Sequence, residues 1–170
     1  MSQATTIVWL RQDLRIADQP ALRRAGDRGC VVPVYILAPE EEGDWPLGAA
    51  SRWWLHHSLV SLDEQLRERG LRLIIRRGST QATLDALLEE TGATAVYWNR
   101  RYEPAAIERD KQVKASLLSR GVQAESFNGS LLHEPWTVLT KQSAPYQVFT
   151  PFWKSCLSAS VSHEPLPTPR

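Results

Sequence analysis

Apolar and polar positions along the chain fall into two alternating textures. Short unbroken apolar runs are separated by longer stretches in which apolar residues recur every three or four positions. Thr6 to Leu10 is the first run, β-branched and aromatic, short enough to be a strand buried on both faces. Cys30 to Ala38 repeats that texture as a second fully buried strand, and Leu71 to Arg76, Thr94 to Trp98 and Val122 to Phe127 read as three further strands. Between them the period becomes helical. Asp18-Gln-Pro20 offers an acidic cap with proline at or near the first helical position. Ser51 to Arg69 places Leu55, Leu59, Leu62 and Leu66 on one stripe, with Asp63, Glu64, Arg67 and Glu68 opposite, and Gly70 closes it. A helix over Thr80 to Glu90 carries Leu84, Leu87 and Leu88 and stops at Gly92; another, opened by Pro104, carries Ile107, Val113, Leu117 and Leu118 to Gly121. Beyond Phe127 the rhythm changes to short pieces, Leu131 to Pro135 and Tyr146 to Trp153. Residues 158–170 hold Pro165, Pro167 and Pro169 without periodicity and read as linker.

Five strands alternating with helices predict an α/β fold, a doubly wound five-stranded parallel sheet with helices on both faces, because parallel strands need right-handed helical crossovers. The 170 residues suit one domain with a substantial core. The 20 basic residues barely exceed the 19 acidic ones, so the balance points to no broad nucleic-acid-binding or membrane-binding face. No run is long enough to span a membrane, and Met1-Ser-Gln-Ala4 lacks the basic and apolar regions of a signal peptide. Cys30 and Cys156 show no metal or redox spacing, which suggests a reduced, cytoplasmic protein. Seven tryptophans are many for this length, and several sit beside charged residues.

Much familiar chemistry is missing. No glycine-rich phosphate loop follows the first strand, no nucleophile elbow is present, and no paired acids stand at general acid–base spacing. Of His56, His57, His133 and His163, the adjacent pair points to different faces of its helix, so metal ligation is not expected. The acidic run Glu40-Glu-Glu42, in a loop with Trp45 and Pro46, reads as solvated. Two polar knots remain, Arg11 to Arg15 after the first strand and Asn99 to Glu103 after the fourth. If the winding reverses between those strands, both knots line one crevice at the switch point. Trp9, Trp98 and Tyr102 would add faces for a planar, conjugated ligand held by a few polar contacts. Residue by residue, Trp9 and Trp98 also read as core, Asp13 as a helix cap, and the arginines as partners of nearby acids.

Trp9-Leu-Arg-Gln-Asp-Leu-Arg15 with Asp18-Gln-Pro-Ala-Leu22 resembles the opening signature of the DNA photolyase and cryptochrome family. Ser51-Arg-Trp-Trp-Leu55, Leu62-Asp-Glu-Gln-Leu66, Arg77-Gly78, Trp98-Asn-Arg-Arg-Tyr-Glu-Pro104, Arg109-Asp110, Leu131-Leu-His133 and Val148-Phe-Thr-Pro-Phe-Trp153 continue the likeness in order, over residues 5 to 157. The resemblance implies the family's N-terminal α/β domain, which carries a light-harvesting antenna chromophore, with residues 158–170 beginning the linker to a helical FAD-binding domain. The function implied is that of the antenna domain of a deoxyribodipyrimidine photolyase, repairing cyclobutane pyrimidine dimers in DNA with light. The 170 residues alone are expected to be inactive and to hold no FAD. The alternatives are the same domain of a cryptochrome photoreceptor, or a stand-alone nucleotide-binding protein of universal-stress or electron-transfer-flavoprotein type.

The resemblance proposes Arg11, Gln12, Ile36, Arg52, Asn99, Arg101 and Glu103 as antenna-binding residues, and no catalytic residue or metal ligand. Some folate-type members carry Asn-Glu where this chain has Ala105-Ala106, and deazaflavin-type members tend to have an acid where it has Arg101. The matching Arg11 and Glu103 favour a deazaflavin or another flavin over methenyltetrahydrofolate. Arg11 and Glu103 are expected to be coupled, directly or through the ligand, since an unpaired buried charge is costly. The partners implied are the FAD domain of the same protein and, through it, damaged DNA. The segment Tyr146 to Trp153 is expected to face that domain, or to drive self-association when exposed.

Overall fold

The computed structural model describes residues 4–43, 46–159 and 164–169; Trp45 of the acidic loop and His163 lie outside them. Five strands occur as expected from their apolar runs: β1 (Ala4–Leu10), β2 (Gly29–Leu37), β3 (Ile74–Arg77), β4 (Ala95–Asn99) and β5 (Gln123–Phe127). Helices α1 (Pro20–Arg28), α2 (Ala49–Arg67), α3 (Thr80–Thr91) and α4 (Pro104–Ser119) alternate with them, and α5 (Phe149–Ser158) follows. The chain forms two compact units, Met1–Gly129 with Leu166–Arg170, and Ser130–Pro165. Among the described residues no helix is long and apolar enough to cross a membrane.

In the first unit all strand pairs are parallel and the order is β3-β2-β1-β4-β5. The chain winds outward from β1 to β3, then returns to β4, so β1 and β4 flank the switch point with Trp9 opposite Trp98. Alternation along the strands divides the core in two. Ile7, Trp9, Val34, Ile36, Val96 and Trp98 pack with leucines of α3 and α4. Val8, Leu10, Tyr35, Ala95 and Tyr97 pack on the other face with α1 and with Leu62 and Leu66 of α2. Each face buries enough apolar surface to hold its own helix pair, which leaves the loops at the carboxyl ends of the strands to carry polar residues.

One helix start is set differently from the expectation. Gln19, not Asp18, caps α1: its side-chain carbonyl accepts from the amides of Ala21 and Leu22, and Pro20 occupies the first turn. Asp18 instead adopts a left-handed φ of 49° and accepts from the Leu166 amide at 3.1 Å, while its own amide donates to the Leu166 carbonyl at 2.9 Å. The terminal segment expected as linker is therefore tied to the first unit at Leu166. Gly70 ends α2 with φ 72°, letting Leu71 donate back to the Leu66 carbonyl at 3.0 Å.

In the second unit, α5 occupies part of the stretch expected as short pieces. Pro151 falls in its first turn, where the missing N–H has no helical acceptor to lose. Phe149 and Trp153, one turn apart, stack at 6.1 Å, and Val148, Phe149, Trp153 and Leu157 are exposed.

Candidate functional site

The two polar knots do come together, but the seam between them is filled rather than open. Asn99, at the end of β4, is buried, and its amide nitrogen donates to Asp13 Oδ2 and Gln19 Oε1, both at 2.7 Å. Asp13 also accepts from the Arg11 amide at 2.7 Å and from Gln19 Nε2 at 2.6 Å. Asp13 thus positions the capping residue instead of capping α1 itself. The Arg11 guanidinium closes the seam by donating to the Asn99 carbonyl.

The cavity lies to the β2 side of this seam, over the carboxyl ends of β1 and β2, with a volume of about 660 Å³. That size is within the usual range for small-molecule sites. Trp9, Tyr35 and Ile36 form its floor, Trp54 and Leu55 of α2 one wall, and Arg101 and Arg109 another. Of the seven expected residues, Arg11, Gln12, Ile36 and Arg101 line it. Arg52, Asn99 and Glu103 do not. Arg52 is exposed and donates to the Leu47 carbonyl at 3.2 Å, Asn99 belongs to the seam, and Glu103 is the N-cap of α4.

Charge around the cavity is compensated pair by pair. Arg11 donates through Nη1 to both carboxylate oxygens of Asp110, at 2.8 Å. Arg11 thus pairs directly with Asp110 rather than with Glu103, and Glu103 pairs with Arg101 at 3.1 Å. Arg101 also donates to Glu42 at 2.9 Å, and Arg109 stands 3.6 Å from the same carboxylate. Both guanidinium groups that flank Trp9 lie near its ring, Arg11 at 4.5 Å and Arg109 at 5.2 Å from the centroid.

The acidic loop is thus only partly solvated. Glu41 caps α3, accepting from the Thr80 amide at 2.8 Å and from its hydroxyl, and Glu42 reaches the cavity wall. Residue patterns gave Glu42, Tyr35, Arg109 and Asp110 no role at the site. The one signal available was the placement of the acids directly after a strand end.

Burial pulls the Arg11 guanidinium below its ordinary pKa, with Asp110 opposing. Burial likewise acts to lower Arg101, but its bonds to Glu103 and Glu42 outweigh it and the net direction is upward. Burial and the charge of Glu42 raise the Tyr35 hydroxyl, partly offset by Arg101. For Glu103 burial acts upward, yet the bond from Arg101 prevails and its carboxyl lies below the usual range. A lowered carboxyl pKa stabilises the fold above the unfolded-state value and loses that effect as pH falls through the folded value. Glu103→Gln is accordingly expected to cost at most about 1 kcal/mol near neutrality, Glu103 being half exposed. The difference should vanish in acid, as read by urea unfolding across pH; a gap that widens in acid would contradict it.

The donor set fits a flat conjugated ring. Tyr35 and Trp54 offer aromatic faces, Glu42 is an acceptor for a ring N–H, and Gln12, Arg101 and Arg109 are donors for carbonyl or ring-nitrogen acceptors.

A family model described as DNA photolyase matches residues 6–170. Deoxyribodipyrimidine photo-lyase of Agrobacterium fabrum is 43% identical over 171 residues, covering 100% of this chain and 35% of that protein. Cryptochrome-2 of Arabidopsis thaliana is 45% identical over 166 residues, covering 96% of this chain and 27% of that protein. Among solved structures, a bacterial class III photolyase from Agrobacterium tumefaciens superposes with a TM-score of 0.92 at 43% identity, covering 99% of this chain and 35% of that one. The chain spans about a third of the length of these relatives.

Proposed function

Because the chain belongs to the DNA photolyase family, we propose that it is the light-harvesting antenna domain of a deoxyribodipyrimidine photolyase. The observation that carries this reading is the cavity of about 660 Å³ at the carboxyl ends of β1 and β2, walled by aromatic faces and by fixed polar groups. A bound antenna chromophore would supply absorption of near-ultraviolet or blue light and pass the excitation to a flavin in the helical part of the protein. The chain's own residues hold and orient it. Arg101, fixed by Glu42 and Glu103, and Arg109 set the polar edge, while the exposed Trp54 lines the cavity from α2.

The occupant is a conjugated ring of flavin or folate type. The preference for a deazaflavin rests on the matching positions Arg11 and Glu103. Arg11 is committed to Asp110 and Glu103 to Arg101, so flavins and methenyltetrahydrofolate compete on equal terms. The test is reconstitution with 8-hydroxy-5-deazariboflavin, riboflavin 5′-phosphate and methenyltetrahydrofolate, followed by gel filtration and absorbance. Retention of one of them is expected, about tenfold weaker in Glu42→Ala and unchanged in Arg52→Ala. Retention of none, or equal losses in both variants, would overturn the reading.

Identity to a plant cryptochrome is as high as to a photolyase, which supports a second reading as the same domain of a signalling photoreceptor. Repair of dimer-containing DNA by the longer protein separates the two, and the 170 residues alone should restore no thymine. Among the described residues Cys30 and Cys156 form no disulfide, which suits a reducing cytoplasm. The exposed aromatic face of α5 suits docking of the FAD domain, and damaged DNA would be met through that domain. By itself the chain should self-associate through that face. Phe149→Ser with Trp153→Ser is expected to return it to monomer in analytical ultracentrifugation, and an unchanged oligomer would count against the docking role.

A further inference from the structure

Among the described residues, three buried side-chain donors have no hydrogen-bond partner, and two of them are the indole nitrogens of Trp9 and Trp98. Trp9 lines the cavity, 98% of its surface is covered, and its ring lies 5.9 Å from that of Trp98. An indole is among the most easily oxidised side chains. Placed beside an excited flavin or pterin, it is ordinarily a quencher: one electron leaves the indole π system and fills the vacancy left by excitation. The electron then returns, and the photon's energy is lost as heat. A light-harvesting site has to suppress that step at each tryptophan that lines it, here Trp9 and Trp54, of which Trp9 is the buried one.

We propose that Arg11 and Arg109 hold Trp9 silent as an electron donor, so that an excited antenna chromophore in this cavity keeps its energy for transfer. The proposal rests on the antenna reading of the cavity. Two guanidinium groups, at 4.5 Å and 5.2 Å from the centre of the ring, attract the electron-rich indole but repel the positive charge that oxidation would place on it. A guanidinium is a delocalised cation. The bare indole nitrogen acts in the same direction. An oxidised indole is a strong acid, and transfer of its N–H proton to a bonded acceptor makes oxidation easier; neither Trp9 nor Trp98 has such an acceptor. Charge and proton therefore both oppose the loss of an electron from Trp9, while its ring still packs as core. Both cations share Asp110, and Arg109 also stands 3.6 Å from Glu42; Arg109 is the one to test, because Arg11 donates in addition to the buried Asn99 carbonyl.

The measurement is the fluorescence lifetime of the chromophore retained in the reconstitution above, with occupancy read separately by absorbance. Arg109→Gln should shorten the lifetime several-fold and show an indole radical in transient absorption. Arg109→Lys, which keeps a cation, should hold it near the wild-type value. Trp9→Phe in the Arg109→Gln background should restore it by removing the donor. Trp9→Phe alone should leave the lifetime unchanged, a readout that holds even if an Arg109 variant folds poorly. A several-fold longer lifetime in Trp9→Phe alone, or equal lifetimes in Arg109→Gln and wild type at equal occupancy, would overturn the shielding and leave the antenna reading standing. Failure of the wild type to retain any of the three chromophores would overturn both.

Discussion

Replacing Asp110 by alanine is expected to destabilise the sheet-bearing unit by about 3–5 kcal/mol, the range for stranding one member of a buried ion pair. Arg11 is 6% exposed and Asp110 12%, and one guanidinium nitrogen donates to both carboxylate oxygens at 2.8 Å. Burial already pulls the Arg11 pKa down, and Asp110 is the largest force holding it up. Without Asp110 the guanidinium keeps its bond to the Asn99 carbonyl but loses its charge partner. Its Nε–H is already unpartnered, so little remains to offset the desolvation. The effect comes from the stranded charge, not from the strength of the pair. Arg11→Met with Asp110→Leu should therefore recover most of the loss. Urea unfolding followed by circular dichroism measures both. A cost below about 1 kcal/mol for Asp110→Ala would mean that the pair behaves as a solvated one.

That pair also marks where reading the sequence stops. Arg11 and Asp110 are 99 positions apart, and nothing local in either segment announces the other. The inner strands β1, β2 and β4 were legible because their buried positions read as near-continuous apolar runs, whereas the edge strands β3 and β5 are only partly buried. The neighbourhood of β1 and β4 was legible because a doubly wound sheet must reverse somewhere, and polar knots stood at the ends of both strands. What filled the space between them was not. Asp13, Gln19 and Asn99 satisfy one another so completely that the expected crevice is closed, and the cavity moves towards β2. The acidic run misled for a related reason. Three consecutive acids usually mean solvent, but a short 3₁₀ turn over Pro39–Glu41 aims Glu41 at the start of α3 and leaves Glu42 for Arg101. The stretch expected as short pieces holds α5, where Pro151 is harmless because it falls in the first turn.

Gly129 is where the closed seam should prove least forgiving. A Cβ built there would lie 2.4 Å from Asn99 Nδ2, 2.5 Å from its Cγ and 2.8 Å from its Cβ. A long surface side chain could swing aside, but Asn99 is short, 4% exposed and bonded to Asp13 and Gln19. Moving it would unseat the residue that caps α1 and would pull on the Asn99 carbonyl that Arg11 uses. The Gly129 backbone cannot easily retreat either, because its own carbonyl accepts from Arg15 at 2.7 Å. Gly129→Ala is therefore expected to cost about 3 kcal/mol, the upper end for overpacking a filled site. The relief should be specific. Asn99→Ala removes the atoms in the way at the price of the seam bonds, so adding it to Gly129→Ala should cost clearly less than the sum of the two single changes, by about 1 kcal/mol or more. Urea unfolding of the four proteins in that cycle gives the coupling. Simple additivity would show that the chain relaxes around Gly129 and that its proximity to Asn99 carries no energetic weight.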